Sequence, residues 1–176
     1  MTPNTYGPYL RIMGFYALLL GGIHAAHSST SLMSTEWAEQ ACEAWNMEPA
    51  LTETLAESGW ADNDNGRGYK LIELYRSNCP NSPRVQLRIS VENDKAKCLY
   101  GGGVDNEPDL EVDYIMYAET GRWVEMGRGE YGPMRGMMYG RLKFKGPKWE
   151  AMKNMGPFER FLLLIGKVQS DASSCP

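Results

Sequence analysis

Val85, Leu87, Ile89 and Val91 alternate with Gln86, Arg88, Ser90 and Glu92. Successive side chains of an extended chain point to opposite faces, so this period of two predicts a strand buried on one side and wet on the other. Such a strand needs paired neighbours, and they follow at once. Asn93-Asp94 gives a turn, then Ala96, Cys98 and Tyr100 share one face of a second strand that ends at Gly101-Gly102-Gly103. The glycines lack the Lys-Ser/Thr of a phosphate loop and read as a bulge or strand end. Asn106 to Asp109 form another turn, and Leu110, Val112, Tyr114 and Met116 alternate as a third strand. A short strand over 141–145 sets Leu142 and Phe144 against Arg141, Lys143 and Lys145, and Gly146-Pro147 closes it.

Around these strands the period turns helical. Trp37, Ala41, Ala44 and Trp45 recur at helical spacing over 34–46, with Ser34 or Thr35 as the cap. A second helix is predicted over 49–58, stopped by Gly59. Residues 60–68 read as a polar turn; their Asp62-x-Asp64 pattern lacks the glycine position of a calcium loop. Residues 69–76 read as a further short helix. Two short helices are expected at 120–128 and 132–139, and an apolar helical region from Trp149 to Ile165 with a kink at Gly156-Pro157. The division that follows is a leader (1–32), an N-terminal helical region (33–79), a core (80–168) and a flexible tail (169–176).

Composition narrows the function. Residues 1–32 contain one charge, Arg11, so the remainder carries a net charge of −5, which argues against a nucleic-acid partner. His24 and His27 both lie in the leader, which removes histidine triads, histidine-bearing zinc sites and imidazole acid–base chemistry from the rest. Cys42, Cys79, Cys98 and Cys175 contain no C-x-x-C pair. They would form two disulfides in an exported protein and stay reduced in the cytoplasm, and spacing does not choose a pairing. Residues 12–23 are apolar after Arg11 and give way to Ala25-Ala26. That is the layout of a signal peptide, and the run is too short for a stable membrane span. A start at Met33 serves as well and makes the protein cytoplasmic, which is the expectation here, with export by this leader as the alternative.

The segment Tyr131-Gly-Pro-Met-Arg-Gly-Met-Met-Tyr-Gly-Arg-Leu-Lys-Phe-Lys-Gly146 resembles the sterol carrier protein type 2 family. Members of that family show a short apolar helix, then Gly-Lys/Arg-Leu-Lys-aliphatic-x-Gly, then an amphipathic C-terminal helix. Gly140, Arg141, Leu142, Lys143, Phe144, Lys145 and Gly146 occupy those places. The resemblance spans about residues 70–168; the triple glycine and Gly127-Arg128-Gly129 depart from it. It implies an α+β fold: a curved, mainly antiparallel sheet of about five strands, helices on one face and an apolar tunnel between them. It also implies a sterol, fatty acid or acyl-CoA as ligand, with no cofactor.

A lipid site needs apolar side chains that line a space without filling it, at about 0.8 kcal/mol per buried methylene. The lipid-binding candidates are Trp123, Met126, Met134, Met137, Met138, Leu142, Phe144, Met152, Met155, Phe158, Phe161 and Leu162. Taken singly, each reads first as core packing, and it is the group that points to a cavity. Met134, Met137 and Met138 fall on one helical face, and Met re-packs around ligands of different length. Arg135, Arg141 and Lys143 are candidates for a carboxylate or phosphate at the mouth, or are solvated charges. Asp113, Glu119 and Glu125 form no recognisable catalytic pair, and Cys98 has no histidine to activate it. The expected protein is therefore a lipid carrier and not an enzyme. The alternative is an accessory module, a homodimer or a partner of an enzyme, whose groove takes a partner helix.

Overall fold

A computed structural model describes residues 1, 30–81 and 83–176. The predicted leader therefore lies outside the described residues except at its two ends. The elements run α1 (Thr35–Asn46), α2 (Pro49–Thr52), α3 (Thr54–Glu57), β1 (Lys70–Arg76), β2 (Val85–Glu92), β3 (Lys95–Gly103), β4 (Tyr114–Ala118), α4 (Thr120–Gly127), α5 (Pro133–Met138), β5 (Lys143–Lys145), α6 (Lys148–Lys153) and α7 (Met155–Lys167). The five strands form one open sheet in the order β3-β2-β1-β4-β5. All neighbours are antiparallel except β1 and β4. This is the α+β architecture expected, with the core between the sheet and the helices.

Residues 69–76, read as a helix, are the central strand instead. Lys70, Leu71, Ile72, Leu74 and even Glu73 are buried. A strand covered on both faces loses the alternation that marks a half-buried one, so periodicity alone does not separate it from a short helix. The third predicted strand begins four residues late. At Leu110–Val112 the chain turns, with the Val112 and Asp113 amides donating to the Asp109 carbonyl. The C-terminal helical region breaks at Asn154 and not at Gly156-Pro157. Pro157 sits in the first turn of α7, where a missing N–H costs nothing.

Residues 30–33 and the C-terminal tail belong to the fold. Leu32 and Met33 are buried, the Leu32 amide donates to the Asp171 carbonyl, and the Asp171 amide donates to the Thr30 carbonyl. The buried Arg76 guanidinium donates to the carbonyls of Leu32, Ala172 and Ser174. Disulfides join Cys42 to Cys98 and Cys79 to Cys175. The tail expected to fray is thereby pinned.

The triple glycine serves close packing. A Cβ on Gly101 would lie 2.1 Å from the Ala38 carbonyl oxygen, so the bare backbone lets α1 lie directly on β3. The register shifts nearby, between Arg88 and Ile89. Trp37 and Trp45 of α1 are 0% and 1% exposed. The helix is thus a core element with no free apolar stripe.

Candidate functional site: a methionine-lined groove

Pro133 opens α5 at a position where its fixed φ suits a helix start. Gly136 is what lets this helix seat. Its missing Cβ would lie 3.3 Å from both the Met126 sulfur and the Leu142 Cβ. Gly140, in the left-handed region at φ +66°, turns the chain into β5, where Phe144 pairs with Met116. Gly146 then passes over Asp113, whose carbonyl oxygen would lie 2.2 Å from a Cβ. These turns set α5, β5 and α6 around one apolar groove of about 400 Å³.

Met134, Met137, Met138, Leu142, Phe144 and Met152 line the groove, joined by Gly140, Lys143, Lys148 and Ala151. Six of the twelve sequence-predicted residues are thus brought together. Lys148 and Ala151 went unpredicted, although their i, i+3 spacing places them on one face of α6. The other six lie elsewhere. Trp123 is fully buried, donates its indole N–H to the Tyr75 carbonyl and lines a separate cavity of about 290 Å³ with Ile165 and Val168. Met126 and Leu162 are buried packing residues and Met155 is partly buried against the same core. Phe158 and Phe161 border an interior void of only about 10 Å³ between Trp45, Leu55, Trp60 and Ile72. The interior is filled by ring contacts. Tyr114 stacks on Trp60 and meets Phe144 and Phe158 at 5.2 and 5.4 Å.

Behind Phe144 sits a buried polar cluster that the sequence reading missed. The Lys70 ammonium, with a fully buried side chain, lies 2.5 Å from the Glu150 carboxylate and over the rings of Trp60 and Tyr114. The Tyr114 hydroxyl donates to Glu150 and accepts from the Trp60 indole N–H at 3.0 Å. Asn63 donates to the second carboxylate oxygen. Burial holds Lys70 below the ordinary lysine range, and Glu150 opposes that shift. Burial, then the hydrogen bond to Glu150, push Tyr114 far above the usual tyrosine range, so it stays a neutral donor.

Several of the remaining candidates have structural partners. Asp113 is fully buried, bonded to Arg67 and to the amides of Leu71 and Asp109. Glu125 accepts from Arg122 and Tyr131. The Cys98 sulfur is consumed in its disulfide. Arg141 lies over the Tyr131 and Tyr139 rings outside the groove, and Arg135 is exposed and does not line it. Lys143 does.

The fold agrees with comparisons to known proteins. No curated protein matches the chain. Among solved structures, a sterol carrier protein 2 superposes with a TM-score of 0.50 at 18% identity, over 78% of this chain and 99% of the other. That likeness establishes a shared fold. A conserved hypothetical protein of Thermus thermophilus, described as possibly a sterol carrier protein, gives 0.49 at 19% identity over 84% and 98%. A sterol carrier protein domain of Helicoverpa armigera gives 0.43 at 22% over 82% and 99%. The model of the SCP-2 sterol transfer family matches residues 61–159, a span that runs from before β1 through the groove and into α7. The chain belongs to the SCP-2 sterol transfer family.

Proposed function

We propose that the protein binds and carries an apolar lipid-like ligand (a sterol, fatty acid or acyl-CoA) in the groove between α5, β5 and α6, with no chemistry on the ligand. One observation carries the reading. Six of the ten lining residues are Met, Leu or Phe and enclose about 400 Å³, within the volume range of small-ligand sites. Four of the six are Met, whose unbranched side chains adapt to chains of different length, so selectivity is broad. Lys143 and Lys148 line the same groove and would meet an anionic head. The pairing of all four cysteines favours the exported alternative over the cytoplasmic one, because such bonds persist in oxidising compartments.

The test uses the full chain in its oxidised form. Organic extraction followed by mass spectrometry should yield bound lipid, and a fluorescent fatty acid should be displaced with one-to-one saturation. Met138→Trp, which fills the groove from an exposed position, should weaken displacement at least about tenfold, the equivalent of losing two buried methylenes. Folded protein with no bound lipid and no displacement would sink the carrier reading. It would leave the groove as a seat for a partner helix.

A further inference from the structure

The chain as a whole is acidic, yet its charge is unevenly placed. Residues 133–153 hold six cations and a single carboxylate, Glu150, while the rest of the chain carries a net −9. That one carboxylate is turned inward onto Lys70. Among the described residues, Arg135, Lys143, Lys145, Lys148 and Lys153 have no ion-pair partner. Their field therefore faces solvent undiminished.

Among the described residues, the same segment holds five of the eleven large apolar side chains left exposed, including both exposed aromatics. Met138 is 71% exposed, Tyr139 64% and Trp149 78%. On α6, Trp149, Met152 and Lys153 fall at i, i+3 and i+4 and so share one face. Water-facing Trp and Tyr among lysines are costly in a purely aqueous setting. They suit the headgroup zone of a bilayer, where an amphipathic ring is half buried and cations meet lipid phosphates. An acidic protein partner would satisfy the same cations and bury Trp149, and it is the reading left if anionic vesicles fail to bind.

We infer that the α5–β5–α6 face docks on a bilayer surface bearing anionic headgroups, with Trp149 and Met152 inserted and the lysines against the phosphates. The acidic remainder is repelled by the same surface, which orients the groove mouth toward the lipid. Docking of this kind does not depend on ligand carriage, and its test adds no ligand.

The experiment is sedimentation of the oxidised full chain with phosphatidylcholine vesicles, with and without a third of phosphatidylglycerol. Binding is expected to the anionic vesicles only, and should weaken as salt rises. Each cation at such a surface contributes about 1 kcal/mol, so Lys153→Gln should lower the binding constant about fivefold and Lys148→Glu/Lys153→Glu at least about 25-fold. Trp149 also reports on its own insertion, because Trp37, Trp45, Trp60 and Trp123 are at most 1% exposed. Brominated lipid should quench a fraction of the fluorescence that disappears in Trp149→Ser, and that variant should bind more weakly at every salt concentration. The α6 variants replace exposed side chains, and circular dichroism verifies that they fold. The inference is overturned if folded protein ignores anionic vesicles, if charge reversal leaves binding unchanged, or if Trp149 is not quenched.

Discussion

Lys70 is the least expected residue of the core. Its side chain is fully buried while Glu150 keeps 15% exposure, so the pair is unequal: the carboxylate can find water and the ammonium cannot. Removing the carboxylate is therefore the damaging change. Glu150→Ala should destabilise the fold by about 3 kcal/mol at neutral pH, because it leaves a buried charge with no counter-ion. The sign of its pH dependence follows. Without Glu150 the largest influences that oppose desolvation at Lys70 are lost and only the weaker pull of Asp113 remains, so its folded value falls further below the unfolded one. The unfolded chain then keeps a proton that the folded chain gives up, so the variant gains stability as pH rises, until pH passes the free-lysine value of about 10.4. Urea denaturation of Glu150→Ala at a series of pH values measures this. A flat difference from the parent would show that Lys70 is solvated. The cluster was invisible in the sequence because its members stand at 63, 70, 114 and 150. Such separation leaves no local pattern, whereas Met134, Met137 and Met138 share one helix turn and were legible at once.

Among the elements, glycine decides how closely layers approach. Gly127 at the end of α4 and Gly166 in α7 form a backbone crossing. A Cβ on Gly166 would lie 2.2 Å from the Gly127 carbonyl oxygen. Backbone cannot swing aside as a side chain can, so Gly166→Ala should cost about 1–3 kcal/mol through overpacking. A lowered urea midpoint with an unchanged slope would be the expected result, and an unaltered midpoint would show that the helices slide apart freely. Gly127 was noticed in the sequence only as a departure from the family pattern, and its crossing partner lies 39 residues on. Legibility of the elements followed burial. β2 alternates buried and wetter residues from Leu87 to Ser90 and declared itself, although Gln86 is buried and Val91 exposed, and α4 and α5 appeared within a residue or two of their observed ends. β1 was misread because both its faces are covered. The groove's α6 wall was foreseen as apolar, but its break from α7 depends on the Asn154 backbone conformation, which no residue pattern announced.

For the molecule as a whole, the two disulfides tie the helical segment to the sheet edge and the C-terminal tail to the end of β1. They close separations of 56 and 96 residues, and constraint of the unfolded chain over such loops is worth about 4 kcal/mol each. Replacing Cys79 and Cys175 together with Ala should lower the thermal midpoint by roughly 8–16 degrees, the equivalent of about 4 kcal/mol for a chain of this size. Calorimetry on that variant checks it, and an unchanged midpoint would show that Arg76 alone holds the tail. The fold class was legible because the order of strands, helices and the Gly-Arg-Leu-Lys segment runs in sequence. The pairing of cysteines was not, because it depends on which chain ends meet.

That pairing has a further consequence. In chain order the cysteines join first to third and second to fourth, so the two covalent loops interlace and the sheet lies within their combined span. A protease that cuts any one peptide bond between Cys42 and Cys175 cannot separate the pieces. One bridge or the other always spans the cut, and a nicked molecule stays in one piece until a reductant reaches it.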